Sequence, residues 1–260
     1  MSENNVAKMK VELLSCTPDA EKLIASAAKL CYAKSDIGTL REGLTPEKVE
    51  SFLKMLADLG HESPVEHVTY TFGIEGVSRT LLAQITRHRI ASYSVQSQRY
   101  VDKSGFDYIL PPEIAAIPEA KEEFERAMEE DAQHYCRLRE ILAKKHFDEM
   151  TAAGTDEKEA KKAAEKKANE DARFVLPNAC DTRIIMTMNV RSLHNFFALR
   201  CCNRAQWEIR ALATEMLRLC RAQSPLLFGG AGPGCLNGPC PEGGYCCGKT
   251  AEVREKFRKL

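Results

Sequence analysis

The 260-residue sequence predicts one α+β domain over residues 1-228, followed by a cysteine-rich tail over 229-260. Three observations predict it. Short segments alternate apolar and polar residues at the period of a half-buried strand. Longer segments repeat apolar residues at the helical period, and beyond Gly229 glycine, proline and cysteine displace both patterns. No repeat and no low-complexity linker divides the first part of the chain.

Taken in order, Lys8–Cys16 reads as a strand, with Met9, Val11 and Leu13 alternating against polar neighbours before Thr17-Pro18. Asp19 is expected to cap an amphipathic helix over Glu21–Tyr32. Thr45-Pro46 opens a second helix that ends at Leu59, with Gly60 at the position after the C-cap. His67–Ile74 alternates through Val68, Tyr70, Phe72 and Ile74, the mark of a strand. Ser78 then caps a short helix to Thr86, and Arg87–Tyr100 is expected to be irregular. After a connector at Pro111–Pro118, Ala120–Lys145 and Asp156–Arg173 read as solvated helices broken near Ala153-Gly154, and the lysine run 158–167 as one solvated face. Thr182–Met188 is strand-like. Val190–Leu199 and Arg204–Ala222 are helical, the latter with a stripe of Ala205, Ile209, Leu212, Met216, Leu217 and Cys220. A short basic helix around Glu252–Lys259 closes the chain.

Thirty-seven basic residues balance thirty-seven acidic ones, which argues against a protein whose main task is to coat nucleic acid or an anionic membrane. No membrane-length apolar run occurs and Met1–Lys10 carries no signal-peptide core, so the expectation is a soluble cytoplasmic protein with no nucleic-acid or membrane partner. Its eleven cysteines then read as reduced thiols, metal ligands or catalytic groups and not as a disulfide framework.

Several familiar chemistries are missing. There is no G-x-G-x-x-G after a strand and no G-x-x-x-x-G-K-[ST]. His61-Glu62 followed by His67 does not place two imidazoles on one helical face, and Pro64 interrupts any helix there. Pro239-Cys240 has no cysteine three residues on, so the zinc-deaminase pattern fails as well.

Arginine remains. Arg87–Tyr100 holds three Arg, one His, three Ser and two Gln. Guanidinium forks pair with phosphate, and hydroxyls and amides orient a base, so the segment suits a phosphorylated ligand without a glycine loop. A second cluster follows: Arg173 before Phe174-Val175-Leu176-Pro177, then Asn189, Arg191, Asn195 and Arg200. Arg191 and Asn195 share a helical face, whereas Arg200, nine residues beyond Arg191, points to the opposite side. A helix lying between two pockets of an oligomer satisfies that spacing.

Arg87-His88-Arg89, seven residues and then Ser97 resembles the signature of the flavin-dependent thymidylate synthases. The flanking text agrees: H-E-S-P-V-E-H at His61–His67, I-A-S-Y at Ile90–Tyr93, S-Q-R-Y at Ser97–Tyr100, and N-V-R-S-L-H-N-F from Asn189. The resemblance spreads in order over Lys8–Phe228. It implies a mainly antiparallel sheet packed by helices, and a homotetramer whose sites draw on several subunits. The implied reaction converts dUMP to dTMP, with methylenetetrahydrofolate giving the carbon and FAD, reduced by NADPH, the hydride. By position, Ser63, Arg87, His88, Arg89, Asn189, Arg191 and Asn195 resemble FAD contacts. Gln84, Arg87, Gln96, Ser97, Gln98, Arg99, Arg173 and Arg200 resemble dUMP contacts. His61 resembles a residue close to the flavin and folate. Arg200 and Ser97 would polarise and position the substrate, with Ser97 not a nucleophile. Val95 departs from the Glu or Gln that many members carry, and Gln96 is the candidate to replace that contact.

Other residues carry weaker readings. Cys180 in Leu176-Pro177-Asn178-Ala179-Cys180 is expected to be a packed thiol, Trp207 a core residue, and His67 and His194 structural. Cys235, Cys240, Cys246 and Cys247 offer a structural zinc site, with free thiols as the alternative. A non-catalytic nucleotide-binding regulator with a metal-stabilised tail would keep the arginines and need no flavin.

Overall fold

A computed structural model describes residues 5–260. Four strands, β1 (Lys10–Cys16), β2 (Thr69–Ser78), β3 (Ser92–Val95) and β4 (Asp181–Asn189), form one antiparallel sheet in the order β1-β2-β4-β3. The helices in chain order are α1 (Ala20–Leu30), α2 (Ile37–Glu42), α3 (Pro46–Leu59), α4 (Arg79–Ile85), α5 (Pro112–Ala115) and α6 (Pro118–Ala152). They continue with α7 (Glu157–Ala172), α8 (Val190–Arg200), α9 (Trp207–Gln223), α10 (Pro225–Phe228) and α11 (Thr250–Arg258). The α+β class and the antiparallel sheet agree with expectation. Among the described residues no helix is long and apolar enough to cross a membrane.

The chain packs as two compact units. The first comprises the residues up to Met9, Glu75–Ala83 and Val95–Arg183; the second comprises Lys10–Ile74, Gln84–Ser94 and Ile184–Leu260. In the first, α6 and α7 pack together along a seam to which α7 contributes Ala160, Ala164, Ala168 and Ala172, all buried at a spacing of four. Phe106, Tyr108, Met128, Ala132 and Cys180 form a core cluster beside it. Lys103 Nζ pairs with Asp181 Oδ1 at 2.8 Å in a buried setting, which anchors the segment that follows β3. Gly76 has φ +64, and a Cβ there would meet Lys8 O at 2.1 Å; the close approach requires glycine.

In the second unit the apolar face of β2 supplies Tyr70, Phe72 and Ile74, all buried. Tyr70 Oη donates to Ser224 Oγ at 2.6 Å, and its ring meets Phe228 edge-on. His194 also meets Phe228 edge-on and its Nε2 lies 3.0 Å from Leu227 O, so it is structural, as expected. Thr45 and Gly60 terminate α3 as the sequence predicts, the first through its side chain and the second in the left-handed conformation.

Several expectations need correction. Asp19 precedes α1 at φ 49 and makes no side-chain cap; only its carbonyl serves the helix, accepting from Leu23 N. Helix α2 was not foreseen, although Asp36 caps it by accepting from Thr39 N. Ser92–Val95 is the edge strand β3 and not irregular, because hydrogen bonding in the sheet supplies order that a four-residue alternation is too short to advertise. Trp207 is half-buried at the first position of α9, and His67 is exposed at the end of a 3-10 turn, so neither is a core residue.

Candidate active site

In the second unit, α4 ends in a tight turn where Arg87 N bonds Gln84 O and His88 N bonds Ile85 O. Gln84 itself is half-buried. The turn leaves Arg87 and Arg89 exposed and His88 half-buried, its ring edge-on to Phe196 at 5.0 Å. Tyr93 Oη lies 2.7 Å from Ile85 O and 2.9 Å from His88 O, so it holds the turn by donating to one or the other. From the end of α8, Arg200 Nε donates to His88 Nε2 at 3.0 Å. The acceptor nitrogen cannot carry a proton, so His88 is the neutral Nδ1–H tautomer. Burial first, and the Arg200 charge second, push its pKa down to about 4. Burial also lowers the pKa of Arg200, with the nearby Arg87 adding to the effect.

At the other end of α8, Asn189 caps the helix by accepting from Ser192 N at 2.8 Å. Arg191 donates from Nε to Glu62 Oε2 at 3.0 Å and from Nη1 to Glu66 Oε1 at 2.5 Å. A cavity of about 670 Å³ opens there, lined by these three charged residues, Asn189, Asn195 and Ile90 among others. Arg191 and Arg200 thus meet different neighbours, as their rotation along the helix requires. The structure gathers Asn189, Arg191 and Asn195 around one cavity. It does not bring Ser63, Arg87, His88 or Arg89 into that lining. His61 and Ser63 are exposed just before the 3-10 turn Pro64–His67. A second cavity of about 570 Å³, beside Cys16–Lys22 and Ser224, contains none of the motif residues.

In the first unit, Gln96 N bonds Arg183 O at 2.9 Å and carries the chain out of β3. Ser97 Oγ accepts from Arg99 N at 3.2 Å, a turn-forming bond with no base involved. Gln98 is buried and its amide lies 3.9 Å from Cys180 Sγ. Burial pushes the Cys180 thiol up to about 11, which fits a packed thiol. Arg99 Nη2 reaches Glu170 Oε2 at 2.9 Å, while Arg173 Nε donates to Glu170 O at 3.0 Å. Glu170 therefore joins the two arginines. Gln96 Oε1 and Arg99 Nε are both buried with no hydrogen-bond partner among the described residues.

Sequence reasoning missed the supporting residues. Buried Asn169 accepts from Arg139 Nε at 2.8 Å and from Tyr135 Oη at 3.3 Å, and its amide donates to Arg99 O at 3.4 Å. Glu62, Glu66 and Glu170 hold candidate arginines. Glu62 and Glu66 sat within the quoted H-E-S-P-V-E-H, and Glu170 lies three residues before Arg173; what no sequence pattern supplies is the pairing.

The zinc reading of the tail finds no support in the structure. Among the described residues no group of three or more His, Cys, Asp or Glu is arranged to hold a metal ion. Cys235 is buried, whereas Cys246 is exposed and accepts from Gly248 N, and Cys247 Sγ lies 3.9 Å from Asn203 Nδ2.

Comparison with known proteins follows the same lines. The family model described as thymidylate synthase complementing protein matches residues 12–226. The flavin-dependent thymidylate synthase of Clostridium tetani is 53% identical over 249 residues, covering 96% of this chain and 97% of that protein. The protein of the same name from Geobacter sulfurreducens is 50% identical over 254 residues, covering 97% and 99%. That of Nitratidesulfovibrio vulgaris is 46% identical over 247 residues, covering 92% and 94%. With the family model matching residues 12–226 and near-complete alignment to these relatives, the chain belongs to the thymidylate synthase complementing protein family, that of the flavin-dependent thymidylate synthases.

Proposed function

We propose that this protein methylates dUMP reductively to dTMP, using methylenetetrahydrofolate as carbon donor and NADPH as reductant through FAD. The observation that carries this reading is identity of 53% and 50%, over almost the whole chain, to proteins bearing the name flavin-dependent thymidylate synthase. The two orphaned polar atoms at Gln96 and Arg99 support it, because a nucleotide would satisfy both.

The chemistry of the cavity beside α8 fits a flavin nucleotide. Asn189, Arg191 and Ser192 form the first turn of an eleven-residue helix, where the backbone dipole favours an anion. Arg191 adds a guanidinium and Asn195 an amide. Asn189, Arg191 and Asn195 would hold the phosphates there, with Ser63, Arg87, His88 and Arg89 assigned to the rest of the cofactor. When bound, the flavin supplies the hydride.

The chain's own residues bind and orient. Arg99, Arg173, Gln96, Gln98 and Ser97 would grip dUMP from one segment, and Gln84, Arg87 and Arg200 from another. Neutral His88 occupies only the Nε–H of Arg200, leaving the two amino groups of its fork to stabilise charge that develops on the uracil oxygens. Exposed His61 is assigned to the flavin and folate side. Exposed Ile90 and Phe174, at 74% and 82%, flank motif arginines and fit a homotetramer in which other subunits cover them. Residues 1-228 constitute the synthase domain and 229-260 its tail. Eleven free cysteines fit a reducing cytoplasm.

Tritium release from C5-labelled dUMP, with NADPH and folate and with or without FAD, tests this reading. Release that needs all components supports it. A colourless protein that takes up no FAD and releases no tritium overturns it, and favours the nucleotide-binding regulator.

A further inference from the structure

The tail meets the candidate site at the end of α8. A helix leaves its last carbonyls without partners of its own. In α8, Cys201 N takes Phe197 O, and Gly234 N, from the tail, takes Ala198 O at 3.1 Å. Arg200, which bonds His88 Nε2, lies two residues beyond Ala198. Past Arg200 the chain meets the tail again, where Asn203 Nδ2 lies 3.9 Å from Cys247 Sγ. All of these residues belong to the second unit.

The tail is itself fixed from two helices. From α9, Arg221 donates to Phe228 O at 3.1 Å, to Ala231 O at 2.7 Å and to Phe257 O at 2.5 Å. From α11, Arg254 donates to Cys235 O at 2.8 Å and to Gly238 O at 2.5 Å. Leu236 N bonds Pro233 O at 2.8 Å, a turn that encloses Gly234, and Leu236, Val253 and Phe257 are buried. Gly234 is thus held by bonds other than its own to α8. A Cβ there would lie 2.8 Å from Pro241 Cγ and 3.3 Å from Pro241 Cδ, so the site requires glycine.

We propose that Gly234, with the tail loop around it, positions Arg200 by holding the last turn of α8 where the guanidinium meets His88. Gly234 is a positioning residue, and its effect on turnover rests on the assignment of Arg200 to dUMP made above. The Arg200–His88 bond at 3.0 Å has little slack. A displacement of about 1 Å in the turn that carries Arg200 would break it and move the donors off the substrate. The ring of Pro241 is rigid and Arg254 fixes Gly238 three residues before it, so the strain of a Cβ at 234 falls on the Gly234–Ala198 bond.

The test compares full-length, flavin-loaded wild type with G234A, G234A/P241A, R200K and G234A/R200K. G234A should lower kcat/KM for dUMP by about threefold to tenfold with flavin content retained. P241A removes the ring atoms that the new Cβ strikes, so G234A/P241A should return to within about a factor of two of wild type. In the R200K background G234A should cost nothing further.

A second readout needs no turnover. In protein labelled with nitrogen-15 histidine at neutral pH, wild-type His88 should be the Nδ1–H tautomer alone, its signal assigned by loss in H88N. G234A should gain an Nε2–H fraction of at least about a tenth as Arg200 lets go. Unchanged kcat/KM with an unchanged tautomer in folded G234A overturns the proposal. So does a loss of activity that persists in full in R200K, because the tail would then act through the fold at large. A wild type that releases no tritium sinks the dUMP assignment, and the tautomer then decides the positioning by itself. If G234A does not fold, Arg254→Gln frees Cys235 O and Gly238 O without adding bulk and is read by the same two criteria.

Discussion

Arg200 Nε donates to His88 Nε2 across 3.0 Å, joining the last residue of α8 to the centre of the arginine motif. The bond fixes two things at once. The imidazole must be neutral to accept, and the guanidinium is turned so that its remaining donors form a plane on one side.

A pH dependence of stability follows. The unfolded chain takes up a proton at His88 near the ordinary 6.5, whereas the folded chain resists until about pH 4, through burial first and the Arg200 charge second. The stabilisation is therefore complete above pH 6.5 and is lost as pH falls through about 4. The urea midpoint of the wild type should fall more steeply across that window than that of His88→Asn, which keeps an acceptor for Arg200. Parallel slopes would show that His88 does not titrate as described.

Arg200→Lys keeps the charge and loses the fork. A lysine cannot bond His88 and still present two coplanar donors, so kcat/KM for dUMP should fall by about tenfold to a hundredfold while flavin content is retained. Activity within a factor of two of wild type would remove Arg200 from the substrate's surroundings.

Glu62 and Glu66 occupy Arg191, so a flavin phosphate held there as proposed would compete with them. All three side chains are about half exposed, so each pair is weak. E62Q/E66Q should tighten FAD binding by about threefold to tenfold, read by quenching of flavin fluorescence. Weaker binding would mean that the carboxylates position Arg191 for the cofactor and do not compete with it.

Asn169→Ala strips Tyr135, Arg139 and the Arg99 carbonyl of a shared partner. Tyr135 and Arg139 keep Lys103 N and Asp102, but losing the buried amide that joins them costs about 1–3 kcal/mol, so the unfolding temperature should drop. Because Arg99 loses its backbone anchor, KM for dUMP should rise in the folded protein. A change in stability with KM untouched would make Asn169 merely a packing residue.

Helices and strands with a complete apolar face were legible in the sequence: α3, α9 and β4 lie within one to three residues of their expected bounds. Strand β3 was not, because Ser92–Val95 owes its order to hydrogen bonds from elsewhere in the chain. The capping role of Asp19 failed for a related reason. Its backbone adopts the left-handed conformation, which takes the side chain away from the first turn. Within the candidate site, the arginines announced themselves by composition and spacing. The carboxylates that hold them did not, since an acidic residue in a solvated helix looks the same whether or not it faces an arginine.

The four buried alanines of α7 lie on the same helix as Asn169 and Glu170, the residues that grip Arg99. Each brings only a methyl to that seam, so the helical hairpin works as a caliper whose gap is set by Cβ atoms. Drift along 157–172 is thereby confined to outward positions. Enlarging any one of the four would register first as a misaligned nucleotide grip, well away from the altered residue.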